Sequence, residues 1–389
     1  MDKFRILVLN TISEKGLAVF PSDRYWQGKE MEDPHAVLVR SFDLHAFALG
    51  KSLLAVARAG AGVNNIPVDK LTHLGVPVFN TPGANANAVK ELVLASMILA
   101  SRHLMAAHDF VEGLPEDDTV LSHQVESGKK RFSGNELLGK TLAVAGLGAI
   151  GGRVAEAALA LGMRVVGFDP KITVEAAWRL PSQITQAHSL EEAAREADFL
   201  SVHVPLTSDT RMMVGEKILR LLPQGAALLN FSRSEVVDET AVLEALKREW
   251  LSYYLCDFPS AALKTHPRVV AFPHLGASTA ESEENCAVMA AQQLRAYLED
   301  GAIRNSVNFP SVVMDRESPF RLAVAHNNVP SMLAQISSVL GGFGLNIHNM
   351  VNKSRGDAAY TLADADSPIE MGMVEALSAI EGVWRVRTL

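Results

Sequence analysis

The chain has 389 residues, which at ~150 residues per domain makes two or three domains. A composition of 48% hydrophobic and 21% charged residues is that of a folded globular protein and excludes disorder as the main state. Its two cysteines, Cys256 and Cys286, form no C-x-x-C pair, which excludes a disulfide scaffold and a thiolate zinc site, and the net charge of −8 argues against a nucleic-acid binder without excluding a small anionic substrate.

The N-terminal stretch Met1–Leu9 lacks the long apolar core and small-residue cleavage site of a signal peptide. The longest apolar stretch, near Leu92–Ala100, is too short to span a bilayer. A cytoplasmic protein with no membrane partner is the expectation. Short apolar runs follow one another at Phe4–Leu9, Ala36–Val39, Leu53–Ala57 and Val76–Phe79, each bounded by Gly, Pro, Asn or Asp. Such runs predict buried parallel strands of an α/β layer. Leu92–Leu104 predicts a long apolar helix, and the polar segment Glu112–Ser133 marks a crossover between domains.

A second α/β series starts at Thr141, with strands predicted at Leu142–Ala145, Arg164–Phe168, Phe199–Val204, Ala226–Phe231, Tyr253–Cys256 and Val269–Phe272. Their alternation with helices predicts a doubly wound sheet. Glu281–Glu299 carries apolar residues at helical spacing. From about Ser318 the pattern becomes strand 321–325, helix 330–340, strands 347–352 and 358–363, helix 370–380 and strand 383–387. That order is a ferredoxin-like βαββαβ unit. The expected division is a discontinuous substrate-binding domain (1–92 and 285–312), a dinucleotide-binding domain (93–284) and a small C-terminal domain (318–389).

The sharpest local signal is Ala145-Gly146-Leu147-Gly148-Ala149-Ile150-Gly151. It leaves an apolar strand, opens an apolar helix, and is followed by a second strand that ends at Asp169. Gly146 suits the tight turn, Gly148 close approach of backbone to a pyrophosphate, and Gly151 close packing of helix on strand. The helix N-terminus offers free N–H groups to phosphates. Asp169 would accept hydrogen bonds from a ribose diol and repel a 2′-phosphate, which selects NAD over NADP.

Further segments carry a family resemblance. They are His203-Val204-Pro205-Leu206-Thr207 with Thr210, Asn230-Phe231-Ser232-Arg233, and Pro273-His274-Leu275-Gly276. Together with the glycine turn they resemble the D-isomer-specific 2-hydroxyacid dehydrogenases over about residues 35–310. The resemblance implies NAD contacts at Gly146, Gly148, Ala149, Ile150, Gly151, Asp169, His203, Pro205, Thr210, Phe231, Ser232, Arg233, Asp257, His274 and Gly276. It implies catalysis by His274, as acid/base, and Arg233, which holds the substrate carboxylate. A histidine suits the proton step because it titrates near working pH, and a guanidinium can grip a carboxylate through two parallel bonds.

Arg40, Ser41, Arg58, Ala59, Gly60 and Asn85 match the family's substrate-contact positions, and Lys90 is a candidate phosphate ligand. The implied substrate is a small phosphorylated 2-hydroxy acid, with no metal. One departure stands out. The family's carboxylate partner for the histidine falls at or next to Ala262, and no acid lies between Asp257 and Glu281. Without it His274 would lose orientation and stabilisation of its protonated form. Ser234 stands where a glycine is common.

The C-terminal unit resembles an ACT domain, an amino-acid-binding regulatory module. His326, Asn328 and Asn346 match the positions through which such domains hold L-serine between paired subunits, while Ser331 replaces a frequent glycine. A homodimer or homotetramer is implied. Two alternatives stay open: another D-2-hydroxyacid dehydrogenase, and a catalytically weak amino-acid sensor.

Overall fold

A computed structural model describes residues 3–389; Met1 and Asp2, the first two residues of the N-terminal stretch read above, lie outside the described residues. The chain divides into two compact units, one made of residues 1–84 and 280–389, the other of residues 85–279.

The first unit opens with strands β1 (Phe4–Val8), β2 (Tyr25–Gly28), β3 (Ala36–Val39), β4 (Ala55–Arg58) and β5 (Val78–Phe79). They form a wholly parallel sheet in the order β2-β1-β3-β4-β5. Ile6, Val37, Leu38, Val56 and Ala57 are all fully buried, as a sheet covered on both faces requires. The sequence pattern missed β2, because its Tyr-Trp-Gln-Gly run is neither apolar nor alternating.

Helices of eight residues or more are numbered in chain order. In the second unit α1 (Ala86–Arg102), α2 (Leu104–Glu112) and α3 (Asp118–Gly128) precede the sheet. The predicted helix at 92–104 thus starts six residues earlier and stops at His103, which takes a left-handed φ of 51°. Strands β6 (Thr141–Ala145), β7 (Arg164–Phe168), β8 (Thr185–Gln186), β9 (Phe199–Val202), β10 (Ala226–Asn230), β11 (Leu251–Cys256) and β12 (Val269–Ala271) follow. Helix α4 (Ala149–Ala160) joins β6 to β7, and α5 (Glu239–Lys247) joins β10 to β11. The sheet is parallel throughout, in the order β12-β11-β10-β9-β6-β7-β8. The chain reverses direction across the sheet between β6 and β9. In open α/β sheets that switch point is where ligands bind.

The chain returns to the first unit through α6 (Ala280–Asp300). It then adds β13 (Phe320–Asn327), α7 (Met332–Gly342), β14 (Ile347–Arg355), β15 (Ala358–Ala365), α8 (Met371–Ser378) and β16 (Val383–Thr388). These strands are antiparallel in the order β14-β15-β13-β16, the ferredoxin-like arrangement expected. Alternation along β13 separates two faces. Leu322 and Val324 pack on Ile336, Leu340, Met373 and Leu377 of α7 and α8. Ala323 and Ala325, with Tyr360 and Leu362, join the core of Phe79, Tyr297 and Phe309.

Both faces of this sheet are therefore covered, and the unit shares a core with the N-terminal sheet. Arg321 secures the joint. Its five N–H donors all find acceptors: the two Asp364 oxygens at 2.6 and 2.8 Å and the carbonyls of Asp300, Met314 and Asp315. Residues 318–389, expected as a separate domain, pack as part of the first unit. The unit boundaries fall at 84/85 and 279/280, not at 92/93 and 284/285, because α1 lies whole in the second unit and α6 whole in the first.

Candidate active site

The glycine turn stands at the switch point. Gly146 ends β6 with φ 91°, and a Cβ there would meet the His203 carbonyl oxygen at 2.7 Å, so only glycine fits. A Cβ on Gly151 would lie 1.8 Å from the Gly146 carbonyl oxygen, so α4 can approach the turn only through a glycine. Gly148 differs: a Cβ there meets nothing within 4 Å, and the open space faces its backbone.

Asp169 follows β7. Its carboxylate accepts the Leu147 N–H at 2.9 Å and the Lys171 N–H at 3.0 Å, which aims it at the turn. The Lys171 ammonium pairs with Asp209 at 2.8 Å. A cleft of about 610 Å³ opens beside the turn, and Gly146, Gly148, Asp169, His203, Pro205 and Thr210 all line it. The Thr210 hydroxyl donates to the Pro205 carbonyl at 2.6 Å and fixes that loop.

His203 follows β9 and lies 2.8 Å from the Ser201 hydroxyl through Nε2, while its buried Nδ1 has no protein partner. Burial pushes the ring's pKa down to about 4, so it is neutral at physiological pH. The open cradle at Gly148, the aimed Asp169 and the orphaned Nδ1 fit a dinucleotide. Ala149, Ile150 and Gly151 belong to the first turn of α4, whose N–H groups point the same way.

The two expected catalytic residues share the C-terminal edge of this sheet. Arg233 follows β10 and is exposed, with Nη1 on the Ser232 carbonyl at 2.6 Å. Its loop is held by Asn230, which is fully buried. Asn230 Oδ1 accepts the Ser232 N–H and hydroxyl, and its Nδ2 donates to the Arg233 carbonyl at 2.8 Å. Phe231 is buried and stacks on Phe272. Ser234 begins a 3-10 turn and is not among the residues of positive φ, so a serine there is unstrained.

His274 follows β12 and is exposed, with a left-handed φ of 57°. Beneath it Asp257, 2% exposed, accepts the N–H groups of Leu275 and Gly276 at 3.0 and 2.6 Å. The expected contact of Asp257 with the nicotinamide amide is thus preceded by a structural task. Among the described residues the His274 ring bonds to no carboxylate; its ring neighbour is Phe258, edge-on at 5.4 Å between centroids. Asn230 and Phe258 are the supporting residues that residue-by-residue reading passed over. A buried polar residue at the end of an apolar strand was the available signal for Asn230.

Asn85 precedes α1 without capping it through its side chain, and Lys90 donates to Asn87 Oδ1 at 2.7 Å with Glu91 at 3.6 Å. In the other unit Arg40 pairs with Glu283 at 2.6 Å, and the Ser41 N–H bonds to Asn10. Arg58 donates to the carbonyls of Arg40 and Gly62, bracing the Ala59-Gly60 loop. Among the described residues no group of three or more His, Cys, Asp or Glu could hold a metal ion, and no helix is long and apolar enough to cross a membrane.

In the C-terminal sheet His326 is buried. Its Nδ1 lies 2.7 Å from the Asn327 carbonyl and its Nε2 3.0 Å from Thr361 Oγ1. Burial lowers its pKa. Asn328 donates to the Gly356 carbonyl, near His326, but Asn346 stands at the other end of the sheet, next to Asp366. Within one chain the three residues are not brought together.

A parallel sheet of this order, with a glycine turn at its switch point and an arginine and a histidine on the same edge, defines a dinucleotide-dependent dehydrogenase. Residues 94–276 match the D-isomer specific 2-hydroxyacid dehydrogenase NAD binding domain, and with that domain the chain belongs to this family of NAD-dependent dehydrogenases. Over its full length it is 28% identical to the D-3-phosphoglycerate dehydrogenase of Escherichia coli K12, 98% of which is covered. It is 33% identical over 297 residues to the protein of that name from Methanocaldococcus jannaschii, where the match spans 54% of the relative's length. The structure resembles the NAD+-bound 3-phosphoglycerate dehydrogenase of Entamoeba histolytica with a TM-score of 0.60 at 28% identity, covering 79% of this chain and 99% of the other.

Proposed function

We propose that the protein oxidises D-3-phosphoglycerate to 3-phosphohydroxypyruvate with NAD, the first step of serine biosynthesis. The observation that carries this reading is the joint occurrence, in one chain, of the dehydrogenase site and the C-terminal βαββαβ unit, matched end to end by relatives of that name.

The chain's own groups divide the work. Gly148 and the first turn of α4 receive the pyrophosphate, Asp169 the ribose diol, and His203 Nδ1 a hydroxyl. When bound, NAD accepts the hydride from C2 of the substrate. Arg233 pairs with the substrate carboxylate and draws electron density from the C2 oxygen. His274 takes the hydroxyl proton, and in the reverse direction returns it. The Asp257 brace holds the backbone of that histidine in a conformation that it does not favour by itself. The phosphate is assigned to Arg40 and Lys90, which exchange Glu283 and Asn87 for it, with Arg58 acting through the loop it braces.

L-serine is the proposed effector. β14 is an open edge that pairs only with β15. Two copies joined antiparallel along β14 carry the Asn346 end of one to the Asn328 end of the other. His326, with both ring nitrogens engaged, shapes that site from beneath. The exposed Ile98, Leu104, Met105 and Val111 of α1 and α2 offer a second pairing surface, consistent with a dimer or tetramer.

The test is phosphoglycerate-dependent NADH formation by wild type and His274→Gln. The variant is expected to bind NADH normally and to lose at least 100-fold in kcat. Equal kcat in the two would remove His274 from the reaction and with it this reading.

A further inference from the structure

A second cavity, of about 530 Å³, lies wholly within the first unit, away from the glycine turn. Gln293 of α6, Arg304 and Asn305 after it, and Asp315 and Arg316 of the segment leading to β13 face it, and Arg321 lies on its floor. Gln293 is 6% exposed, yet neither its Nε2 nor its Oε1 has a hydrogen-bond partner. A buried amide in that condition costs about 1–3 kcal/mol for each unmade bond. A single trapped water occupies roughly 30 Å³, whereas cavities of several hundred Å³ are the size of small-molecule sites.

The charges decide what would fit. Arg321 has spent all five donors, as described above. Arg316 donates to the carbonyls of Glu299, Ser318 and Pro319 and sits 3.6 Å from Asp300. Two charged side chains are left over, Arg304 and Asp315, and neither forms an ion pair or side-chain hydrogen bond among the described residues. A simple anion would meet the Asp315 carboxylate, and a simple cation the Arg304 guanidinium. A ligand carrying both charges satisfies the two together, and its polar atoms complete the donor and acceptor of Gln293.

We propose that this cavity binds a zwitterionic α-amino acid, its carboxylate on Arg304, its ammonium on Asp315, and the Gln293 amide between them. Bound there, it would tie α6 to the segment that enters β13, whatever reaction the other unit performs. The site is separate from Asn328 and Asn346.

The experiment screens the twenty protein L-α-amino acids by thermal shift on the full chain, then measures the strongest by calorimetry. Arg304→Met and Asp315→Asn, both at exposed positions, are each expected to weaken binding at least tenfold. The same ligand lacking its ammonium or its carboxylate should also bind at least tenfold more weakly. Gln293→Leu should weaken binding while raising the melting temperature of the ligand-free protein. An Asn328→Ala/Asn346→Ala double variant should bind as wild type does. Absence of binding by every amino acid would overturn the proposal. So would affinity untouched by Arg304→Met and Asp315→Asn, or lost only in the double variant.

Discussion

The Asp257 carboxylate accepts the Gly276 backbone N–H at 2.6 Å, and a Cβ on that glycine would come within 2.8 Å of the same oxygen. The contact is tight because Asp257 sits under the loop that carries His274. Its other oxygen takes the Leu275 N–H, so one buried carboxylate secures two successive amides. Hydrogen bonds to a charged group contribute about 1.5–3 kcal/mol each. Asp257→Ala leaves both amides unpaired. We expect a fall in kcat of at least tenfold, with a smaller change in KM for the keto acid, read by steady-state kinetics on protein checked for fold by circular dichroism.

Two glycines of the turn should separate binding from folding. Gly148→Ala meets no atom within 4 Å and should melt as wild type does, yet it fills the space a pyrophosphate needs. Gly151→Ala drives a Cβ into the Gly146 carbonyl at 1.8 Å. Overpacking of that kind costs about 1–3 kcal/mol. Calorimetric NADH titration should show weak binding in both, and a thermal melt should show a loss of stability in Gly151→Ala alone.

His203 makes stability depend on pH. Its folded pKa is depressed to about 4, against an ordinary value near 6.5. Between those values the unfolded chain binds a proton that the folded chain refuses, so stability is full above pH 6.5 and drains away as pH falls toward 4. The loss is on the order of 3 kcal/mol. Urea melts at pH 7 and pH 4.5 should differ less in His203→Asn than in wild type.

The Arg321–Asp364 pair is wholly buried. Burial works against the Asp364 carboxylate, but the guanidinium and the Glu317 N–H hold its pKa below the usual range. Its contribution is therefore present above about pH 4 and lost as pH drops through the depressed value. Removing one partner leaves the other charge buried and alone. Asp364→Asn should cost about 3–5 kcal/mol in chemical denaturation, while a paired replacement by apolar residues of similar volume should cost far less.

Much of this architecture was legible in the residues. The strands at Ala36–Val39 and Arg164–Phe168 announce themselves because buried parallel strands are continuous apolar runs. The glycine turn reads well because each glycine answers a separate steric demand. Ser331, noted for replacing a glycine, does take a left-handed φ of 64°, whereas Ser234 does not. What stayed hidden is long-range. Nothing in the local pattern says that Arg321 will spend five donors on Asp364 and three carbonyls, or that the alanine face of β13 will join the core of Phe79 and Phe309. Nor does spacing along the chain reveal that His326 and Asn346 lie at opposite ends of one sheet, since β13 and β14 run parallel on either side of β15.

The central claim is tested most directly by following NADH consumption with 3-phosphohydroxypyruvate beside unphosphorylated hydroxypyruvate on the same protein. The account predicts rapid turnover, with kcat/KM for the phosphorylated keto acid at least 100-fold higher, and a loss of most of that preference in Arg40→Ala. Equal use of the two keto acids, or no turnover by protein that binds NADH, would contradict it and move the weight to another 2-hydroxy acid or to an amino-acid sensor.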